Sequence, residues 1–256
     1  MKDRVSRRRT GRSKRSSHPA TGPLRNRLLA ALPNDELQRI LPYLEVVPLR
    51  LRELLHKPGE PIDYVYFPGG GFCSILTVLE DGSMVETAAI GREGLVGLAA
   101  AVVQHPMATA SMVQGDIDVC YRMTAIAFRK ELDRCGPFHA VVSQYAQALM
   151  AFVMQSAACN AAHSIEQRFA RWLLAAHDRM GTDTFVLTQE FIAMMLGASR
   201  STVSIVAGML QKAGYITYRR GRVAIVDRRA LEEASCECYR TGRLLLAAFS
   251  ATHSRN

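Results

Sequence analysis

Hydrogen-bonding side chains in the last third of the chain are spaced so that they lie together on one face of a short helix. They are Arg200, Ser201, Ser204, Gln211 and Lys212, with Ile205 among them. Arginine can donate two parallel hydrogen bonds to O6 and N7 of guanine, and hydroxyl groups can bond to several base edges. The pattern therefore predicts a surface that contacts bases in duplex DNA.

A helix-turn-helix would hold this surface outward. We expect Thr188 to cap a first helix and Gly197 to end it, because glycine adopts the left-handed conformation that a tight turn needs. Ser199 is expected to cap a second helix with one apolar stripe, formed by Val203, Val206, Ala207 and Leu210. Taken alone, this pattern also fits an ordinary helical hairpin with a solvated polar face.

The segment after the second helix places three arginines at the tip of a predicted hairpin. Gly214 ends the helix, residues 215–218 and 223–226 alternate like strands, and residues 219–222 form the turn between them. Guanidinium groups bind phosphate oxygens, so this hairpin, called the wing below, favours DNA binding over the helical hairpin. The predicted DNA-binding residues are Thr188, Gln189, Ser199, Arg200, Ser201, Thr202, Ser204, Ile205, Arg219, Arg220 and Arg222.

The net charge of +9 is concentrated at the N-terminus. Residues 1–27 hold ten Lys or Arg against one acid, so the remaining residues are neutral as a set. Residues 1–23 have little to bury, so we expect them to be a disordered tail that either attracts phosphate non-specifically or has no specific role. Within the neutral remainder, residues 182–229 hold seven basic and three acidic groups, a local excess on the proposed DNA-binding unit.

Several classes of protein are disfavoured. The chain has no long uncharged apolar run and no apolar segment behind its N-terminal charges, so we expect a cytoplasmic protein. The motifs His-Glu-x-x-His, Gly-x-Ser-x-Gly and Gly-x-x-x-x-Gly-Lys-Ser/Thr are absent, so no enzyme is expected. Six scattered cysteines predict reduced thiols, and seven histidines without ligand spacing are interpreted as surface or helix residues. Cys236 and Cys238 are close, but residues two apart on a helix point in different directions, so no metal site is expected.

The remaining elements predict an α+β chain. Two short helices are expected between Leu24 and Leu44, the second capped by Asn34. Short strands at 46–49, 51–55, 64–67, 73–79, 84–90 and 116–121 predict an antiparallel roll, and a last helix is expected over residues 227–249. The predicted units are a tail (1–23), a β-roll sensor (24–135), a long dimerisation helix (136–163), a winged helix-turn-helix (164–230) and a C-terminal helix and tail (231–256).

The helical period runs from residue 137 to residue 180, with a break predicted near 161–164. An apolar stripe in its first part has the spacing of a two-helix seam: Val142, Tyr145, Leu149, Phe152, Ser156 and Cys159. We expect this seam to form a parallel homodimer, and the alternative is burial against the chain's own roll. A second stripe is expected to pack on the helix-turn-helix: Ile165, Phe169, Trp172, Leu173 and Ala176.

This layout resembles the Crp/Fnr family of bacterial transcription regulators over about residues 28–230. The similarity is carried by Gly197-Ala198-Ser199-Arg200-Ser201-Thr202-Val203, by Pro58-Gly59-Glu60 with Tyr64-Val65-Tyr66-Phe67, and by Asp81-Gly82. The resemblance implies a cyclic-nucleotide-binding-like jelly roll, a near-palindromic DNA operator, RNA polymerase as a partner and a guanine-reading role for Arg200. Ser201 and Ile205 stand where members carry glutamate and arginine, which implies a different target sequence.

The sensor loop departs further from that family. Cyclic-AMP-binding members offer a glutamate to the ribose, but Leu95 stands at that place in the predicted effector pocket formed by Gly94, Leu95, Val96, Gly97 and Leu98. Between Ala99 and Tyr121 there is no Lys or Arg to neutralise a cyclic phosphate, whose burial would be costly. We therefore expect no cyclic AMP or cyclic GMP, no iron-sulfur cluster at the N-terminus and no other identified cofactor. The alternative function is a sensor or scaffold of the same fold that acts through protein partners without reading DNA.

Overall fold

The computed structural model describes residues 24–101 and 108–251, so the predicted disorder of residues 1–23 falls outside it. The order of elements confirms the α+β class: a β-roll, a long helix and a C-terminal unit of short helices and strands. The helices are α1 Arg27–Ala30, α2 Asn34–Ile40, α3 Ala125–Leu132, α4 Pro137–Ala162, α5 Ile165–Met180, α6 Gln189–Leu196, α7 Arg200–Lys212, α8 Arg228–Ala234 and α9 Cys238–Ala251. The strands are β1 Glu45–Leu49, β2 Leu54–His56, β3 Tyr64–Pro68, β4 Cys73–Val78, β5 Met84–Ile90, β6 Thr109–Val113, β7 Ile117–Thr124, β8 Thr184–Val186, β9 Ile216–Arg219 and β10 Arg222–Ile225.

Two antiparallel sheets form the roll, with strand orders β1-β7-β3 and β2-β6-β4-β5. The predicted strands are present, but β2 begins at Leu54 because the chain turns before it, with Arg52 at a φ of 68°. Strand β6 and helix α3 were not predicted. Strand β6 has the sequence Thr-Ala-Ser-Met-Val, in which polar and apolar residues alternate over only four positions, so its period-two signal is short.

Helix α2 joins the roll to the start of α4. It begins at Asn34 itself, and Pro33 holds the N-cap position, so the predicted capping role of Asn34 is wrong. Glu36 on this helix is buried, forms an ion pair with Arg39 and accepts a hydrogen bond of 3.1 Å from the backbone N–H of Phe138. The carboxylate thereby satisfies a donor at the open first turn of α4.

The predicted break in the long helical run is confirmed. Helix α4 spans 26 residues and ends at Ala162, and the backbone becomes extended at His163. Ser164 then starts α5 with a capping box, in which its hydroxyl accepts from the backbone of Gln167 and the Gln167 side chain accepts from the backbone of Ser164. This reciprocal cap fixes the corner between the two helices.

The stripe predicted to form a dimer seam lies mostly inside the chain. Val142, Tyr145, Phe152 and Cys159 are between 0% and 8% exposed, and Leu149 and Ser156 are half-buried. The Tyr145 hydroxyl donates to the backbone oxygen of Leu95, and Phe152 packs against Gly242 of α9. Four of the six residues therefore have no surface left for a second copy, which corrects the prediction in favour of burial within the chain.

Helix α5 joins the roll to the C-terminal unit, as its apolar stripe predicted. Phe169, Trp172, Leu173 and Ala176 are buried in one core that also contains residues of α6, α7 and the roll. Trp172 donates from Nε1 to Glu86 Oε1 of β5 at 2.9 Å, and its ring meets Phe72 edge-on. Burial of the Glu86 carboxyl raises its pKa, since the charged form loses hydration there.

The C-terminal segment is two helices, α8 and α9, so the prediction of a single helix over residues 227–249 is wrong. The helical conformation is interrupted at residues 235–237, where the Ser235 hydroxyl donates to the backbone oxygen of Glu232 at the end of α8. Cys236 precedes α9 and Cys238 begins it, so the two side chains are free to point the same way. Among the described helices none alone is long and apolar enough to cross a membrane, and α6 and α7 pass that test only as a pair bent by 104°.

Candidate nucleic-acid interface

The structure confirms the helix-turn-helix and each of its predicted end residues. Thr188 caps α6 by accepting from the backbone N–H of Phe191, and Ser199 caps α7 by accepting from that of Thr202 at 3.1 Å. Gly197 ends α6 in the left-handed region, with φ 58° and ψ 43°. The 104° bend between the helices lies within the range of about 90–120° for such motifs.

The inner face of α7 rests on an apolar platform. Val203, Val206, Ala207 and Leu210 are at most 5% exposed and share a core with Ile192 and Leu196 of α6. Burying such a stripe stabilises the unit by about 1.5–3 kcal/mol for each large side chain. The platform therefore fixes the direction in which the opposite face of α7 points.

That opposite face is open to solvent. Arg200, Ser201, Ser204 and Ile205 are exposed, and none of them is turned into the roll. Met209, which was not predicted, is 53% exposed and lies one turn beyond Ile205, which is 65% exposed. The i, i+4 spacing of Ile205 and Met209 could have identified Met209 from the sequence, because residues four apart lie on the same face of a helix. An exposed apolar pair beside polar groups can contact thymine methyl groups.

Other predicted residues hold the surface together. Gln189 donates to the Ser204 hydroxyl at 3.2 Å, which links the start of α6 to the middle of α7. The Ser199 hydroxyl lies 2.8 Å from the hydroxyls of both Ser201 and Thr202. Gln211 is exposed, as expected, and it also accepts from the backbone N–H of Tyr218 at 2.7 Å, which ties the wing to α7.

The wing is a three-stranded sheet with order β8-β10-β9, to which the unpredicted strand β8 contributes an edge. Arg219 pairs with Arg222 across a two-residue turn, in which Arg220 and Gly221 have φ values of 49° and 71°. Two positive φ values are typical of a type I′ turn. All three wing arginines are exposed, and the backbone oxygen of Gly221 accepts from the N–H of Leu187 just before α6.

Positive charge at this surface comes from fewer residues than the sequence indicated. Arg228 pairs with Asp178 at 2.7 Å and with Glu232 at 2.9 Å, and Arg229 pairs with Glu233 at 3.2 Å. Burial raises the pKa of Tyr218 in the wing, and the charge of Arg200 opposes that shift. The exposed basic groups that remain on this unit are Arg200, Lys212 and the three wing arginines.

The predicted effector loop is filled by the protein's own side chains. Leu95 and Val96 are fully buried, and Val96 exchanges two backbone hydrogen bonds of 2.8 and 2.9 Å with Tyr66. A Cβ on Gly94 would lie 2.5 Å from Cζ of Tyr145, and one on Gly97 would lie 2.9 Å from the His56 ring. The final residue, Leu98, starts a short 3-10 helix. These residues pack the roll, and none of the contacts leaves Leu95 or Val96 open to a ligand.

Comparisons with known proteins agree with this geometry. A family model described as the Crp-like helix-turn-helix domain matches residues 167–234. Among solved structures, the fold is similar to that of a protein described as a Crp/Fnr-family transcriptional regulator from Eubacterium rectale (TM-score 0.62, 19% identity, 81% of this chain and 96% of that chain). It is also similar to a CRP-family transcriptional regulator from Thermus thermophilus (0.61, 21%, 74% and 96%) and to the c-di-GMP responsive global regulator CLP of Xanthomonas campestris (0.62, 16%, 75% and 99%). No curated protein matches the sequence.

Proposed function

Since the chain carries a Crp-like helix-turn-helix domain on the fold of Crp/Fnr transcription regulators, we propose that it is a sequence-specific DNA-binding regulator that acts as a homodimer. The observation that carries the proposal is the exposed Arg200 at the first turn of α7, a helix that rests on the apolar platform and is tied to the wing through Gln211. An ordinary helical hairpin would not need an arginine-tipped wing fixed to its second helix.

The proposed contacts divide between bases and phosphates. Arg200 donates to guanine in the major groove, while Ile205 and Met209 contact thymine methyl groups further along α7. The wing arginines bind the phosphates beside the groove, and they carry no sequence information of their own. Ser201 and Ser204 add hydroxyl groups between these two kinds of contact.

An affinity measurement with Arg200→Ala tests this proposal. A binding-site selection with the purified protein first supplies a specific duplex, and gel-shift titrations then compare that duplex with a random one. We expect the variant to lose about 1–3 kcal/mol on the specific duplex, roughly 5-fold to 150-fold in affinity, and little on the random one.

The matched control is Lys130→Ala, which removes one positive charge from an exposed position on α3 of the roll. It should leave both affinities unchanged. Equal affinity of the unmodified protein for selected and random DNA would favour the alternative, a sensor or scaffold that acts through protein partners.

The proposed dimer uses the outer face of α4, opposite the buried stripe. Met150, Val153 and Met154 are 62%, 37% and 65% exposed, and exposed alanines at 157 and 161 extend the same face by one turn each. Spacings of three and four residues over this face are those of a two-helix seam. Two copies joined there would present two α7 helices to half-sites about 34 Å apart on a near-palindromic operator.

A double substitution on that face tests the dimer. Met150→Glu with Met154→Glu places like charges against each other across a two-fold axis, so we expect a monomer by light scattering at micromolar concentration. The control is Ile126→Glu, since Ile126 is 74% exposed on α3 and is not part of the proposed face. A variant that stays dimeric would rule out this face as the interface.

We further propose that the roll does not bind cyclic AMP or cyclic GMP in the family's usual mode. The support is the burial of Leu95 in the roll core and the lack of Lys or Arg between residues 99 and 121. Residues 102–107 lie outside the described chain. Calorimetric titration with either nucleotide checks this proposal, and tight binding would contradict it.

A further inference from the structure

Three thiols and one imidazole meet where the end of α4 touches the joint between α8 and α9. Cys159 and His163 lie one helical turn apart at the end of α4, and Cys236 and Cys238 flank the start of α9. The four candidate ligand atoms all lie within 4.8 Å of one another. The three cysteines are at most 4% exposed and form a small cluster separate from the larger cores.

We propose that Cys159, His163, Cys236 and Cys238 bind one zinc ion. Soft thiolates with one imidazole in a compact set of four are the donors that structural zinc sites use. With four protein ligands the coordination sphere is closed, so the site is structural and not catalytic. The class of ligand is therefore a single tetrahedral divalent cation.

The distances fit that ion. Zn–S bonds of about 2.3 Å and a Zn–N bond of about 2.0 Å in a tetrahedron place neighbouring sulfurs about 3.8 Å apart, and sulfur and nitrogen about 3.5 Å apart. The Sγ atoms of Cys159 and Cys236 are 3.5 Å apart, and Cys238 Sγ lies 3.7 Å from His163 Nδ1. All the cysteines of the described chain are free thiols, and a disulfide would need an S–S separation of about 2.0 Å. A multi-iron cluster would have to place several atoms between the ligands, for which this spacing leaves no room.

The surroundings also suit a metal-bound set. With Nδ1 directed at the thiols, His163 Nε2 lies 3.2 Å from the Glu237 carboxylate, and a carboxylate partner commonly orients a zinc-bound imidazole. Gln155 donates from Nε2 to Cys238 Sγ at 3.1 Å. Ordinary packing of buried cysteines explains neither the direction of the imidazole nor this donor.

A nearby arginine is a second feature that suits a negatively charged site. Arg171 and Cys238 line the same small cleft. Within the described residues, Nε of Arg171 is buried and lacks a hydrogen-bond partner. Buried guanidinium groups without full pairing are costly. Three thiolates around a divalent cation would leave one net negative charge beside Arg171.

The bound ion would link the junction between α8 and α9 to the end of α4. Its ligands come from two places about seventy residues apart in sequence, so one ion would close the corner formed by α4, α8 and α9. The proposal does not depend on DNA binding, since metal content is measured on the protein alone.

Elemental analysis of the full-length protein, purified without chelator, tests the site. We expect about one zinc per chain. We expect about none in Cys236→Ser or Cys238→Ser, whereas Cys135→Ser, the matched control at an exposed thiol outside the cluster, should keep the full amount. Zinc that persists in both cluster variants would overturn the proposal.

A second measurement covers variants that fail to fold. The reduced, metal-free wild-type protein is titrated with cobalt(II), which in a Cys3His site gives tetrahedral ligand-field bands and thiolate charge-transfer absorption; zinc should then displace the cobalt. Absence of that spectrum from folded protein would overturn the proposal. So would iron with sulfide in the purified chain, or a Cys159–Cys236 disulfide in place of zinc.

Discussion

The outer face of α7 and the loop at residues 94–98 differ in whether their side chains are exposed to solvent or buried in the core. On α7 the apolar residues are buried and Arg200, Ser201 and Ser204 face solvent. In the loop, Leu95 and Val96 are themselves part of the core. Substitutions of exposed residues usually change the free energy of unfolding little, whereas substitutions of residues in the core usually lower it. Substitutions on the outer face of α7 should therefore cost little stability, whereas substitutions in the loop should disturb the core of the roll.

The largest expected effect comes from adding one methyl group to the loop. In Gly94→Ala the new Cβ would lie 2.5 Å from Cζ of Tyr145, a side chain that is 1% exposed and donates to Leu95. Overpacking typically costs about 1–3 kcal/mol, and we expect the upper end because the ring has no open space to enter. Denaturant unfolding at fixed protein concentration measures the loss.

The same change on α7 is the control. Gly208 is exposed on that helix, and a Cβ there would have nothing within 4 Å. Gly208→Ala should stabilise the protein by about 0.5–1 kcal/mol, because alanine loses less backbone freedom in a helix. If Gly94→Ala instead left stability unchanged, the loop would not be packed as described, and the contrast between the two regions would fail.

Local signals explain why the helix-turn-helix could be predicted from the sequence. The caps Thr188 and Ser199, the left-handed Gly197 and the stripe on α7 each depend on neighbours within a few residues. Helix α4 shows the limit of such signals, because it is apolar on more than one side. The spacing of its apolar residues does not show which side faces a second copy of the chain. In the fold Val142 and Phe152 are buried, and Met150 and Met154 are exposed.

The cysteine and histidine cluster could not be predicted for a related reason. Cys159 with His163, and Cys236 with Cys238, are two short pairs whose meeting depends on how α9 returns along α4. The sequence predicts a continuous helix through the second pair, and only the interruption at residues 235–237 lets its thiols converge. Strand β8 was missed similarly, since its three residues are defined by pairing with β10.

The smallest expected effect sharpens the comparison at the wing, where binding and stability should change in opposite directions. Arg220 occupies the first turn position with a φ of 49°, which an arginine adopts at some cost. Arg220→Asn gives the Asn-Gly pair that type I′ turns favour, so we expect a gain of about 0.5–1 kcal/mol in unfolding free energy. Loss of one phosphate contact should also reduce the magnitude of the slope of log affinity against log salt by about 0.9, equally for specific and random DNA.

Arg222→Ala is the control, because Arg222 lies in β10 outside the turn and has no positive φ. It should reduce the salt slope alike without the gain in stability. An unchanged slope in both variants would mean that the wing does not bind the DNA backbone, and the basic surface would then be limited to α7.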